Sequence, residues 1–110
     1  MKKTDQQRIQ TMIQIWQELS RQIVERGITP ELLLQDAFTQ WAVTTPLYQI
    51  GEQVYQLTPE LKQQHPDIPW NVVSGLRHRL VHNYEGTNWS IIVEIVFHEM
   101  DVFIEQLKNL

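Results

Sequence analysis

Apolar residues recur at helical spacing along most of the chain. Between Thr4 or Asp5 and Arg26, the residues Ile9, Met12, Ile13, Trp16, Leu19 and Ile23 share one helical face, and Gly27 follows Arg26 as a stop signal. Thr29-Pro30-Glu31-Leu32 and Thr58-Pro59-Glu60-Leu61 each set a capping hydroxyl before a proline at the first helical position, with an acid near the positive helix end. Each therefore predicts a helix start. A long helical stretch runs from about Gln35 to Leu57, where Pro46 is expected to kink or split the rod and Trp41, Leu47, Ile50, Val54 and Leu57 to face the core. Gln64 to Trp70 carries Pro66 and Pro69 and reads as a connector. A helix then begins near Trp70 or Asn71 and ends around Tyr84 to Gly86, and Thr87 or Asn88 caps a last helix reaching about Leu107. There is no Asn-Gly or Gly-Gly hairpin and no sustained alternation, so the expected fold is all-α: one compact bundle of about five helices over residues 1–110.

The last helix changes the picture. Ile91, Ile92, Ile95, Val96, Phe97, Met100, Val102, Phe103, Ile104 and Leu107 cover well over half of its circumference, more than a small single core requires, so these C-terminal residues are expected to form a homodimer interface. Glu99 falls inside that apolar arc and calls for a cationic or hydrogen-bonding partner.

Composition narrows the chemistry. The chain has 110 residues, a formal charge of −4 and no cysteine, which excludes disulfides, thiolate metal sites and cysteine nucleophiles and argues against a broadly basic nucleic-acid surface. No apolar run has the length of a signal peptide core or a membrane span, so the expectation is a cytoplasmic protein with no membrane contact. His65 and His98 have no second histidine at i+4, and neither a metal site nor a cofactor is expected.

Against this acidic background, Arg77-His78-Arg79-Leu80-Val81-His82-Asn83-Tyr84 gathers four cationic or titratable side chains and a phenol into eight residues. On a regular helix Val73, Leu76, Leu80 and Tyr84 share one face, Arg77 borders it, and His82 lies about 140° from Arg77. One helix cannot aim both cations at one point. Either the helix unwinds before His82, or a second copy of the chain completes the site. A solvated, ion-paired helix face is the plain alternative for Arg77 and Arg79.

The pattern Arg77-x-x-Leu80-Val81-His82-x-Tyr84, preceded by Ile68-Pro69-Trp70 and Gly75 and followed by Gly86 and Trp89, resembles the signature of the HepT-like toxins of the HEPN superfamily, small all-helical ribonucleases. The resemblance extends upstream through Ile50-Gly51-Glu52 and Thr58-Pro59-Glu60-Leu61, covering about Gln35 to Leu107, whereas the opening helix matches only in character. The family commonly has asparagine or aspartate where this chain has His78. What the resemblance implies is a metal-independent endoribonuclease, the toxin of a type VII-like toxin-antitoxin pair, with an active site formed across a homodimer. It also implies a small nucleotidyltransferase antitoxin that silences the enzyme by transferring AMP to Tyr84. The residue chemistry suits this reading. An imidazole near neutral pKa can take the proton of an RNA 2′-hydroxyl or protonate the leaving 5′-oxygen, which makes His82 the expected acid or base. The guanidinium fork of Arg77 can bind the scissile phosphate, with His78 and Arg79 in support. The alternative is a non-catalytic helical module that binds nucleotide or the transferase; a scaffold dimer locked by the arginine and histidine is a third reading.

Overall fold

The computed structural model describes residues 4–81 and 86–110. Helix α1 spans Asp5–Glu25, α2 Pro30–Gln35, α3 Ala37–Gln56, α4 Pro59–Gln64, α5 Trp70–Ser74 and α6 Leu76–Val81. The last run comprises α7 (Trp89–Glu94), a π-helical turn (Ile95–Glu99) and α8 (Met100–Lys108). The described residues contain no strand. With α5 and α6 taken together they form six helical runs, where about five were expected, because the Thr-Pro-Glu-Leu segments each build a separate short helix.

Capping sets most of these boundaries. Thr4 and Gln7 form a reciprocal capping box at the start of α1, and Thr29 and Thr58 accept from the backbone N–H groups of Leu32 and Leu61. Helix α1 ends as expected at Gly27, whose φ of 62° suits glycine. There the Ile28 N–H donates to the Ile23 carbonyl at 2.9 Å, the closing bond of a Schellman motif. The long stretch expected from about Gln35 starts at Asp36, whose carboxylate accepts from Thr39 N and Oγ1 at 2.9 and 2.7 Å. These bonds hold the Asp36 carboxyl below its usual pKa. Pro46 neither ends nor splits α3. It lines an open groove with Ala42, so its missing donor falls on a side of the helix that is not packed.

Trp41 does not face the core: it is 70% exposed. The inward residues of α3 are Val43, Leu47, Ile50 and Val54, and Trp41 lies roughly 160° from Val43 around the helix. The single helix expected after Trp70 is interrupted at Gly75, and its expected end at Tyr84 to Gly86 falls largely on residues 82–85, outside the described residues. Asn88 caps α7, accepting from Ser90 N and Ile91 N.

The last helical run is the centre of the core rather than its rim. Ile92, Ile95, Val96, Met100, Phe103, Ile104 and Leu107 are all buried within one chain, and of the apolar set only Val102 is largely exposed. Helix α7 packs on α2, α8 packs on α1, and the Phe103 ring meets Trp70 edge to face at 6.0 Å. The breadth of the apolar arc therefore does not require a second copy: neighbours on several sides of the helix already cover it. Trp16 Nε1 ties α1 to α8 through Asp101 Oδ1 at 2.9 Å, and Arg8 Nη1 ties α1 to α3 through Gln53 Oε1 at 3.0 Å. Among the described residues no helix is long and apolar enough to cross a membrane.

Candidate active site

The site is built where α3 crosses α5 and α6. Gly51 makes that crossing close, because a Cβ there would lie 3.1 Å from Arg77 N, 3.1 Å from Val73 O and 3.3 Å from Leu76 Cβ. With Val73, Leu76 and Leu80 buried as the helical wheel predicts, Arg77 emerges at the border of the buried face and turns toward α3.

Arg77 is not a freely solvated cation. Its side chain is 22% exposed, and Nε lies 3.3 Å from Glu52 Oε1. This is an ion pair without hydrogen-bond alignment, since Nε is buried and has no acceptor in bonding geometry among the described residues. The guanidinium carbon Cζ sits over the Tyr55 ring, 4.0 Å from the centroid. Behind Glu52, the Tyr48 hydroxyl donates to Oε2 at 3.0 Å. That bond and the carboxylate's charge push the Tyr48 phenol above its usual pKa, so it stays a donor through the neutral range.

The structure brings together some of the expected site residues and separates others. His78 is exposed, with Nε2 3.5 Å from Arg77 Nη1. Arg79 points elsewhere. It lines a cleft of about 490 Å³ with Asn71, Gly75, Ser90, Glu94 and Glu99, as expected for a residue about 200° around the helix from Arg77. Glu99 sits in that cleft, half-buried at the end of the π turn, and makes no hydrogen bond or ion pair among the described residues, so the partner expected for it is not found there. His82 and Tyr84 lie outside the described residues. On either side of them, Thr87 Oγ1 donates to the Arg79 carbonyl at 3.0 Å and fastens the chain after residue 85 to α6. The described residues hold no cluster of three or more metal-ligating side chains.

Sequence reasoning gave no role to Tyr48, Glu52 and Tyr55. A signal existed, because spacings of four and three put all three on one stripe of α3. Nothing in that spacing, however, names Arg77 as their target.

An all-helical domain with a half-buried, anchored arginine heading an Arg-to-His-to-Tyr motif is the class that fold and site define. Residues 7–110 match the family described as Ribonuclease HepT-like. A protein named "Putative RNase" from Caldanaerobacter subterraneus subsp. tengcongensis is 33% identical over 90 residues, covering 80% of each chain. Another of that name, from Methanocaldococcus jannaschii, is 34% identical over 83 residues, covering 76% of this chain and 69% of its own. A "Probable ribonuclease HepT" from Thermococcus cleftensis is 35% identical over 71 residues, 64% of each chain. No solved structure matches the chain. The chain belongs to the HepT-like ribonuclease family, as its motif implied.

Proposed function

We propose that this chain is a metal-independent endoribonuclease toxin in which Arg77 binds the scissile phosphate and His82 transfers the proton. The observation that carries the reading is the guanidinium of Arg77, held between the Glu52 carboxylate at its Nε and the Tyr55 ring under its Cζ. An arginine held in that way keeps its terminal amino groups as oriented donors for phosphate oxygens, and little ordering remains to be done when charge develops on them.

The reaction needs only RNA and these groups. The 2′-oxygen attacks phosphorus and its proton passes to a base, the bond from phosphorus to the 5′-oxygen breaks, and that oxygen takes up a proton. The products are a 2′,3′-cyclic phosphate and a 5′-hydroxyl, with His82 as the proton-transfer group. One regular helix cannot aim Arg77 and His82 at one point, and of the two ways out, unwinding before His82 or a second copy, the family resemblance favours a site completed across a homodimer with two motifs facing each other. An RNA oligonucleotide with one 2′-deoxy position should resist cleavage at that linkage alone and be cut elsewhere to cyclic phosphate ends, with or without a chelator. Cleavage at the deoxy linkage, or activity lost to the chelator, would overturn the mechanism.

Control is placed at Tyr84, two residues beyond His82. AMP transferred to the phenol by a small nucleotidyltransferase antitoxin would add bulk and a negative charge that competes with RNA phosphate for Arg77. Mass spectrometry of the chain co-expressed with that transferase should place an adenylate on Tyr84. An adduct mapped to any other residue refutes this mode of control.

A further inference from the structure

Tyr55 is 55% exposed in the last turn of α3, and its hydroxyl makes no hydrogen bond among the described residues. Packing does not account for it. What the ring touches is the guanidinium of Arg77, with Cζ 4.0 Å from its centroid. Glu52, one turn back on the same stripe of α3, meets Nε of that guanidinium at 3.3 Å, and Tyr48, one turn further back, donates to the other oxygen of Glu52 at 3.0 Å.

A guanidinium is a flat plate with one edge at Nε and two amino groups at its end. The charge of Glu52 draws the Nε edge toward α3, and the ring under Cζ restricts how the plate can turn about that edge. Either contact alone leaves more freedom than the two together, which narrow the directions open to the terminal amino groups. We infer that Tyr55 is a positioning residue of the ribonuclease site, aligning the Arg77 fork through the face of its ring, while Tyr48 completes the clamp by holding the Glu52 carboxylate. The inference rests on reading Arg77 as the phosphate-binding group. Since the Tyr55 hydroxyl makes no bond among the described residues, the ring carries the effect, and phenylalanine supplies the same face. Since the ring is half in solvent, its loss perturbs the orientation of Arg77 far more than the fold.

The test uses the purified full chain and a fluorescent single-stranded RNA oligonucleotide, comparing Tyr55→Phe, Tyr55→Leu and Arg77→Ala by kcat, KM and melting midpoint. Tyr55→Leu should lose kcat by about tenfold with KM nearly unchanged, the pattern of a misaligned group that acts in the transition state. Its melting midpoint should match that of the unsubstituted chain, and Tyr55→Phe should keep nearly full kcat. If Arg77→Ala cleaves normally, the parent reading of Arg77 fails. If Arg77→Ala is inactive while Tyr55→Leu keeps full kcat, the positioning role alone fails. It fails equally if Tyr55→Phe is as poor as Tyr55→Leu, or if the loss in Tyr55→Leu comes with a lowered melting midpoint.

Discussion

Arg77→Ala and His82→Ala should each abolish RNA cleavage, with losses of about two to four orders of magnitude, the scale of removing a proton-transfer group or a charge-stabilising donor. Neither protein should unfold. Arg77 contributes little apolar burial and sits at the border of the core, and its partner Glu52 is itself partly exposed and remains hydrated. Circular dichroism and sedimentation of each variant check that point. The pair also tests how the site is shared. If arginine from one copy works with histidine from the other, co-expressing the two inactive variants assembles one complete site per mixed dimer and restores part of the activity. Restoration requires a composite site. A mixed dimer that sediments as such yet stays inactive places the site within one chain, and full activity in either single variant removes that residue from catalysis.

Phe103→Ala should cost about 3–5 kcal/mol, because it empties a fully buried ring site at the meeting of α8 and α5. Domains of this size are stable by only about 5–15 kcal/mol, so the variant stands near the edge of folding at ambient temperature. Its neighbour Val102, 61% exposed, provides the contrast: Val102→Ala should shift stability by no more than about 0.5 kcal/mol. Urea unfolding of both variants measures the difference. A loss below roughly 1.5 kcal/mol for Phe103→Ala would mean that the neighbouring side chains collapse into the space.

Local grammar was readable in the sequence; long-range pairing was not. The threonines at 4, 29 and 58 and the glycine at 27 act within four residues of themselves, and the helix ends they mark lie where capping chemistry puts them. Asp36 obeys the same chemistry, and the start it caps lies within one residue of where the helical pattern puts it. Trp41 is different. Its size and spacing suit a core position, whereas the face of α3 is set by Val43, Leu47, Ile50 and Val54, and Trp41 lies across the helix from them. The motif around Arg77 was legible as a motif. Its anchors were not, because Glu52 and Tyr55 come from a helix separated in sequence by the α4 segment and the two-proline connector, and only folding shows which stripe of α3 the arginine meets.

The π-helical turn at Ile95–Glu99 sets a counting rule for the C-terminal half of the domain. Such a turn spends an extra residue per revolution, so everything after it is rotated by roughly 100° from where an uninterrupted α-helix would carry it. Residues 89–94 and 100–108 are thus two hydrophobic wheels in different phase, one keyed to α2 and the other to α1. Length between Ile95 and Glu99 is therefore part of the packing code. Removing a single residue there, with every apolar side chain kept, would restore one common phase and swing Met100, Phe103, Ile104 and Leu107 out of register with α1 by about a quarter turn.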